Sequence, residues 1–260
     1  MDDSTTWRER ARVAWRLAAI VLWTLSMFAL RLCAGSFRGF APAFDRKARA
    51  KVYQRWCRGM LLITGGRVRV RGIPPSPPYL LVTNHLGYLD ILTLGAHAPG
   101  ALFVSRADVQ HWPLIGFICT RMGTIYIDRT RTRAVREANR AIKAAIEAGN
   151  GVVVFAEGGA SPGQEVRPFK APLLEPAVNL DVPVHYAVVR YELDQPGRRA
   201  SKLLCWADGS AFLSHAFRFL RVRAFRAELT FGDEPVTAPE RKALAQALHE
   251  QVSKRFAPMD

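Results

Sequence analysis

The chain has 260 residues, of which 49% are hydrophobic and 23% charged, as in globular proteins. These values exclude a disordered chain, a collagen-like repeat and a polytopic membrane bundle. The formal net charge of +15 predicts an anionic partner, such as nucleic acid, acidic lipid or a phosphorylated substrate. The four cysteines lie far apart without a CxxC pair, which favours a reducing compartment over a disulfide framework or a zinc site.

The first predicted element is an apolar helix near the amino terminus. Residues 17–30 carry no charge and are bounded by Arg16 and Arg31. Such a segment rises about 21 Å, short of the roughly 30 Å hydrocarbon core, and extending it to residues 13–33 gives a marginal span. Basic residues on both sides favour a helix that lies in, or dips into, the cytoplasmic leaflet. A cleaved signal peptide and a buried soluble helix are the alternatives.

The rest of the chain alternates between strand and helix patterns. Residues 44–63 predict a second, amphipathic helix, which Gly65 and Gly66 end. Strands are predicted at 67–71, 79–83, 101–104, 124–127, 151–155, 182–190 and 221–231, and further helices at 134–148 and 239–256. This alternation predicts an α/β fold with a layered, mixed and largely parallel sheet flanked by helices. We therefore divide the chain into amino-terminal membrane-anchoring helices, 1–66, and a globular domain, 67–260.

The first motif with possible chemistry is Asn84-His85-Leu-Gly-Tyr-Leu-Asp90, which directly follows a predicted strand. A histidine can remove a hydroxyl proton near neutral pH, and a carboxylate can hold its ring and stabilise the imidazolium. A spacing of five residues places two side chains about 140° apart around a helix, so His85 must lie in the turn entering the helix. A capping asparagine with a hydrogen-bonded core histidine is the alternative interpretation.

Two further strand ends carry arginines. A predicted strand ends in Asp128-Arg129, and another is followed by Arg106. Ligands of α/β sheets bind where strands end, and a guanidinium can hold a phosphate or carboxylate there. Surface ion pairing is the alternative for each arginine.

The third motif, Phe-Ala-Glu157-Gly158-Gly159-Ala-Ser, also follows a strand and continues to Arg167 and Lys170. Two glycines allow a ligand to approach the backbone closely, and exposed N–H groups can receive an anion or a developing oxyanion. An ordinary strand-to-loop turn is the alternative. Because the chain has neither a GxxxxGK[ST] nor a GxGxxG sequence, nucleotide hydrolysis and dinucleotide redox chemistry lack support.

In their order and spacing these motifs resemble the glycerolipid acyltransferase family, which includes the 1-acylglycerol-3-phosphate acyltransferases. The first block of the family, NHxxxxD, is matched by Asn84, His85 and Asp90. The second block, a glycine and a strand that ends in Asp-Arg, is matched by Gly123, Asp128 and Arg129. A connecting stretch is matched by Arg106, Asp108, Pro113 and Gly116, and the third block by Phe155, Glu157, Gly158 and Ser161. The fourth block, a strand that contains proline, is matched by Val182-Pro183-Val184. The resemblance covers residues 79–190 closely and implies that 67–260 is an acyltransferase domain.

The third block departs from the family pattern. Ala156, Gly159 and Ala160 stand where the family has proline, threonine and an arginine that helps to hold the acceptor phosphate. Members that act on lyso-ornithine lipid also lack this arginine, and Trp206-Ala-Asp208 followed by His215 is similar to their carboxy-terminal region. A guanidinium facing a zwitterionic or cationic acceptor would lose its charge pairing.

The resemblance implies a membrane-bound O-acyltransferase that moves a fatty acyl chain from acyl-carrier protein or acyl-CoA to a lysolipid hydroxyl. The favoured acceptor is 1-acylglycerol-3-phosphate, and lyso-ornithine lipid is the alternative. The expected catalytic residues are His85 and Asp90, and the expected substrate-binding residues are Asn84, Arg106, Asp128, Arg129, Glu157, Gly158, Gly159 and Lys170.

No metal or other cofactor is expected for this reaction. The expected partner is an anionic membrane surface, and the expected location is the cytoplasmic face of the inner membrane. Nucleic acid is not expected as a partner. A non-catalytic membrane-binding scaffold is an alternative of another class.

Overall fold

The computed structural model describes residues 6–35, 41–128, 131–180, 182–195 and 197–260. The helices are α1 (Trp7–Gly35), α2 (Pro42–Thr64), α3 (Tyr88–His97), α4 (Ile115–Arg121), α5 (Thr132–Glu147), α6 (Glu175–Asn179), α7 (Ala200–Leu203), α8 (Phe212–Leu220) and α9 (Arg241–Arg255). The strands are β1 (Gly66–Arg71), β2 (Tyr79–Thr83), β3 (Ala101–Arg106), β4 (Ile125–Ile127), β5 (Gly151–Phe155), β6 (Val184–Leu193) and β7 (Phe225–Phe231).

The seven strands form one sheet in the order β1-β7-β6-β2-β5-β3-β4. Strands β6, β2, β5, β3 and β4 run parallel, whereas β7 is antiparallel to β6 and parallel to β1. Central β2 and β5 are buried along their whole length, as expected for parallel strands covered on both faces. The predicted α/β fold, with a mixed and largely parallel sheet, is confirmed.

Helices cover both faces of the sheet and create two hydrophobic layers. Alternate residues of β2 divide between them, since Leu81 contributes to one layer and Leu80 and Val82 to the other. The first layer contains residues of α2, α3 and α8, with Val13 and Ile20 of α1 packed against it. The second layer contains residues of α5 and α9. The sheet is therefore the middle of three layers.

Helix α1 packs on the protein through one face along its length. The contacts of this face are hydrogen bonds or ion pairs from Arg12 to Arg221, Arg16 to Leu220 and Val222, Trp23 to Trp56, and Arg31 to Asp45. The opposite face exposes large apolar residues, including Trp15, Val21, Leu22 and Leu25. By length and composition α1 is able to cross a membrane. Its apolar residues lie on every side in the sequence, so the sequence did not indicate that one side of the helix packs on the protein.

The sequence predictions differ from the structure mainly at short elements. Strands 79–83 and 151–155 have the predicted bounds, but the last predicted strand begins at Phe225 and not at residue 221. Helices α4 and α8 were not predicted, because a helix of seven to nine residues owes its stability to tertiary packing and carries little periodic signal.

Candidate active site

The three sequence motifs meet at one edge of the sheet. Thr83, the last residue of β2, is level with Phe155, the last residue of β5. Arg106, at the end of β3, is level with Ile127 at the end of β4. Because these strands are parallel, the loops that follow them lie on the same side, where α/β sheets bind ligands.

His85 and Asp90 form a hydrogen-bonded pair at this edge. His85 lies in the loop between β2 and α3, and Asp90 lies in the first turn of α3, as predicted. Nδ1 of His85 is 2.8 Å from Oδ2 of Asp90. Since a carboxylate can only accept, Nδ1 carries the proton of the neutral imidazole and Nε2 keeps its lone pair. The imidazole is thus set up to take a proton through Nε2.

Asp90 is fully buried and accepts four hydrogen bonds. Besides His85, the N–H groups of Leu86 and Gly87 donate to its Oδ2 at 2.6 and 3.0 Å, which also caps the start of α3. The hydroxyl of Tyr191 donates to Oδ1 at 2.8 Å. Burial is the main cause that raises the pKa of Tyr191, and the negative charge of Asp90 raises it further. The hydroxyl therefore keeps its proton.

The sequence did not identify Tyr191 as a residue of this site. It lies 101 positions from Asp90, near the end of β6, and no motif surrounds it.

The ring of His85 is held from behind by aromatic side chains. It stacks on Phe155 with a centroid distance of 4.0 Å and an angle of 22°, and Phe103 stacks behind Phe155. The His85 side chain is 20% exposed, whereas Asp90 is inaccessible. The dyad therefore opens to solvent only through the imidazole.

Glu157 links the third motif to the first. Its Oε1 accepts a 2.7 Å hydrogen bond from the His85 N–H, and its Oε2 accepts one of 3.3 Å from the Arg167 N–H. Burial raises the pKa of Glu157 to about 7, and these two N–H groups act in the opposite direction. The Ser161 N–H also donates to the His85 carbonyl oxygen at 2.8 Å. Glu157 thus fixes the backbone of the histidine loop, and its side chain is committed to that task.

The glycine pair of the third motif has two different environments. Gly158 has a left-handed φ of +78°, and a Cβ there would lie 2.8 Å from Lys170 Nζ. At Gly159 a Cβ would have no atom within 4 Å apart from those of Gly159 itself and its two chain neighbours, so the space above it is open. Arg167 and Lys170 are both exposed, and Arg167 Nη1 donates to the carbonyl of Ala160 at 3.3 Å. The two residues next to Gly159 in the chain, Gly158 and Ala160, are therefore each close to a cation.

Three other predicted residues have different surroundings. Asn84 is buried, and its amide bonds to both the N–H and the carbonyl of Val189 at 2.8 Å. These bonds tie the histidine loop to β6, and the predicted contact of Asn84 with substrate stays a prediction. Arg106 is exposed and forms a two-pronged ion pair with Asp108. Asp128 is partly exposed after β4, and the predicted Arg129 lies outside the described residues.

An aromatic cluster that the sequence did not predict borders the histidine loop. The Trp206 N–H donates to the Leu86 carbonyl at 2.8 Å, and Tyr88 lies at the start of α3. The rings in mutual contact are those of Tyr88, Trp112, Trp206 and Phe212. His215, noted in the sequence, is buried beneath them, accepts from the Tyr88 hydroxyl through Nδ1 and donates to the Cys205 carbonyl through Nε2. Burial lowers the pKa of His215, so it is a neutral structural histidine.

The arrangement can catalyse proton transfer. Within the described ranges, no group of three or more His, Cys, Asp or Glu side chains is placed to hold a metal ion. An imidazole oriented by a buried carboxylate can activate a hydroxyl group without one. The fold and site define an α/β enzyme with a histidine–aspartate dyad at the carboxyl edge of its sheet.

Comparisons with known proteins identify the family. A family model described as acyltransferase matches residues 67–190. The lyso-ornithine lipid O-acyltransferase of Brucella abortus is 31% identical over 205 residues, which cover 72% of this chain and 75% of that protein. The 1-acyl-sn-glycerol-3-phosphate acyltransferase of Neisseria gonorrhoeae is 32% identical over 133 residues, 51% of each chain. The chain belongs to the acyltransferase family that contains these two groups, so the predicted family and enzyme class are confirmed.

A solved structure has the same fold. The 1-acyl-sn-glycerophosphate acyltransferase of Thermotoga maritima superposes with a TM-score of 0.60 and 20% sequence identity. The match covers 95% of this chain and 99% of that one, so it includes the amino-terminal helices as well as the sheet.

Proposed function

We propose that this acyltransferase moves a fatty acyl chain from an acyl thioester to the free hydroxyl of a lysolipid. The observation that carries the proposal is the His85–Asp90 pair, with its 2.8 Å hydrogen bond and an imidazole that is the exposed end of the dyad. No serine or cysteine belongs to the histidine motif, so direct attack by the acceptor is simpler than a covalent intermediate.

In the proposed reaction, Nε2 of His85 takes the proton of the acceptor hydroxyl as its oxygen attacks the thioester carbonyl carbon. The C–O bond forms, and the tetrahedral intermediate collapses by breaking the C–S bond. The imidazolium then gives its proton to the departing thiolate, so the products are an acylated lipid and a free thiol. Asp90 stabilises the imidazolium and fixes its orientation. This sequence requires no metal or redox cofactor.

The backbone of the third motif is the proposed site for the developing negative charge. The Gly159 N–H has no backbone hydrogen bond to any residue that the structure describes, and the space around Gly159 is open. Its neighbour Glu157 is bonded to the histidine loop, so the glycine backbone is held in a fixed relation to His85. A preorganised N–H group at this point can stabilise an oxyanion.

Arg167 and Lys170 are the proposed contacts for an anionic group of the acceptor. Ala160 occupies the position of the family's phosphate-binding arginine, and the Arg167 guanidinium lies 3.3 Å from the Ala160 carbonyl. Within the described part of the chain, neither Arg167 nor Lys170 has an ion-pair partner. These two cations suit the phosphate of 1-acylglycerol-3-phosphate, the first candidate acceptor.

Lyso-ornithine lipid is the second candidate acceptor. Two observations favour it: Ala160 replaces the arginine, and the Brucella abortus relative aligns over 75% of its length, against 51% for the Neisseria gonorrhoeae protein. The exposed Arg167 and Lys170 can also bind a carboxylate, which this headgroup carries.

The proposed donor is acyl-carrier protein or acyl-CoA, and the proposed location is the cytoplasmic face of the inner membrane. The apolar face of α1 and the net charge of +15 support association with an anionic leaflet.

The decisive experiment measures transfer of a labelled acyl chain by the purified protein to both lysolipids, offered separately. We expect transfer by the wild type, and a fall of about 10³-fold or more in His85→Ala. His97→Ala is the control, because His97 is the last residue of α3, the helix that follows the His85 loop, and it bonds only to the Thr93 carbonyl within the described residues. Equal rates in His85→Ala and wild type would overturn the role of His85. A wild type inactive on every lysolipid and donor would favour the non-catalytic scaffold.

A further inference from the structure

One face of the sheet is uncovered at the edge formed by β1, β7 and the end of β6. Side chains on the side of the first layer, such as Ala227 and Leu229 of β7, are buried. The alternate residues of the three strands point to the opposite side, where they are exposed or half-buried. We define the arginine face as the charged residues on this opposite side: Arg67, Arg69, Arg71, Arg190, Glu192, Arg226 and Glu228.

The arginine face has an excess of positive charge, because it holds five arginines and two glutamates. Both glutamates are paired with arginines of the face, and Asp194, just after β6, also pairs with Arg226. Arg67 and Arg69 are exposed, and in the described part of the chain neither has an ion-pair partner. Arg67 also lies directly opposite Arg226 in the strand register, where like charges repel. An anionic partner would relieve this repulsion.

The shape of the arginine face suits a protein surface better than a small molecule. Two adjoining cavities of about 210 and 220 Å³ lie on it, and both are lined by Arg67 and Arg226. Sites that enclose a drug-sized ligand or a cofactor usually measure about 300–1,000 Å³. Arginines two residues apart on β1 are about 7 Å apart, and neighbouring strands are about 5 Å apart. Such an array of spaced cations is complementary to a surface that carries several carboxylates.

The arginine face and α1 lie on opposite sides of the sheet. Val13 and Ile20 of α1 pack against the first layer, as does Val68 of β1, whose side chain points away from the arginine face. With α1 at a membrane, the sheet stands between the bilayer and the arginine face. This placement favours a partner from the aqueous phase over anionic lipid.

The arginine face lies behind the strand that anchors the catalytic loop. Arg190 is on β6 between the two residues whose bonds hold Asn84 and Asp90. Strand β6 continues past Ala187, the residue level with the end of β2, and the arginine face lies on this continuation. A partner docked there is therefore at the same edge of the sheet as His85.

We propose that the arginine face is the docking surface for an acidic protein, the acyl-carrier protein that delivers the fatty acyl thioester. This identity of the partner rests on the proposed function, because it names the donor of that reaction. Carboxylates of the carrier neutralise Arg67 and Arg69 and hold the carrier at the carboxyl edge, from which its acyl thioester reaches His85. Because salt screens exposed charges, docking weakens as ionic strength rises.

The test measures binding of acylated carrier protein to the full-length enzyme in detergent, and the KM values for acyl-carrier protein and for acyl-CoA with the same acyl chain. The variant Arg67→Gln/Arg69→Gln removes the two unpaired charges and leaves every ion pair of the face intact. We expect its Kd and KM for the carrier to rise at least about fivefold, while its KM for acyl-CoA stays at the wild-type value. Added salt should weaken carrier binding more in the wild type than in the variant.

The matched control is Arg136→Gln/Arg140→Gln, which removes the same charge from exposed residues of α5. These two arginines also have no ion-pair partner among the residues that the structure describes, and α5 packs on β4, at the other edge of the sheet. The control is expected to keep the wild-type Kd and KM for the carrier. An equal loss in the control would overturn the proposal, as would wild-type carrier binding by Arg67→Gln/Arg69→Gln or an equal rise in its KM for acyl-CoA.

A further measurement, binding to vesicles of phosphatidylethanolamine and phosphatidylglycerol, separates a carrier from a lipid partner. Loss of vesicle binding with unchanged carrier binding in the Arg67→Gln/Arg69→Gln protein would overturn the proposal in favour of lipid. A wild type that uses acyl-CoA but does not bind the carrier would overturn the docking surface and leave the proposed function standing. Carrier binding that depends on Arg67 and Arg69, without any acyl transfer by the wild type, would support the docking surface and contradict the proposed function. Arg67→Gln alone, which removes the repulsion with Arg226, replaces the double variant if that protein does not fold.

Discussion

Tyr191 donates its hydroxyl proton to Asp90 Oδ1 at 2.8 Å, on the carboxylate oxygen that does not contact His85. The tyrosine comes from β6 and the aspartate from α3, so the bond joins the catalytic helix to the centre of the sheet. Because Oδ2 is shared by His85 and two N–H groups, Tyr191 is the group that holds the other oxygen and limits rotation of the carboxylate. It is a positioning residue, since its hydroxyl bonds to Asp90 and acts on the imidazole only through that carboxylate.

We expect Tyr191→Phe to lower kcat by about 10- to 150-fold with little change in KM, since loss of one hydrogen bond to a charged group is worth about 1.5–3 kcal/mol. The matched control is Tyr79→Phe, which removes another buried tyrosine hydroxyl, bonded to the Pro99 carbonyl at the far end of β2. This control is expected to lose stability alone. A kcat for Tyr191→Phe equal to that of Tyr79→Phe would show that Asp90 needs no such support.

Asp90→Asn tests whether the carboxylate sets the state of the imidazole. An amide that keeps its oxygen on the Leu86 and Gly87 N–H groups cannot stabilise an imidazolium, so kcat is expected to fall by about 10³-fold or more. Asp108→Asn is the control, because Asp108 pairs with Arg106 at the surface of the same edge. Steady-state kinetics together with circular dichroism separates a chemical defect from misfolding. A decrease in kcat of less than tenfold in a folded Asp90→Asn protein would argue against the dyad.

The dyad could be predicted from sequence because its members are five residues apart and follow a recognisable strand. The same holds for Glu157 and the glycine pair, since strand β5 has the predicted bounds and places them at the predicted edge. Tyr191, by contrast, is brought to Asp90 only by the pairing of β2 with β6, which depends on the order of strands in the sheet. No local pattern encodes such an order.

Contacts between distant segments explain the other differences as well. Asn84 was expected among the substrate-binding residues from its match to the first block of the family, and nothing in the sequence indicated that its amide bonds to the backbone of Val189 on β6. Helix α8 was missed because phenylalanines have only moderate helix propensity and the segment is held by tertiary contacts such as that of Phe219 with Phe225. The exposure of Leu114 and Leu213 could not be inferred either, as burial depends on neighbours that a short sequence window does not include.

Glu157 predicts a specific pH dependence of stability. Burial raises its folded pKa from an ordinary 4.5 to about 7, so its protonated form favours the native state. The resulting stabilisation is fully present below pH 4.5 and is lost as the pH rises through about 7. The loss in the free energy of unfolding is at most about 3 kcal/mol. Glu157→Gln removes this titration, so the wild type should lose more stability than the variant between pH 5 and 8. Urea unfolding at several pH values measures the difference.

Glu165→Gln is the control for this titration, since Glu165 is an exposed glutamate in the same loop. Its stability should follow that of the wild type across the pH range. If Glu157→Gln loses stability with pH as steeply as the wild type, the buried carboxyl group is not the source of the dependence.

The glycine pair allows backbone strain to be separated from ligand contact. In Gly158→Ala a side chain is forced into a φ of +78°, and we expect a loss of about 1–2 kcal/mol in the free energy of unfolding. Gly159→Ala adds a methyl group in open space and is expected to keep wild-type stability within about 0.5 kcal/mol. If the acceptor lies over Gly159, however, the same methyl group should raise its KM at least about fivefold. A stable Gly159→Ala protein with wild-type KM for both lysolipids would place the acceptor elsewhere, away from Arg167 and Lys170.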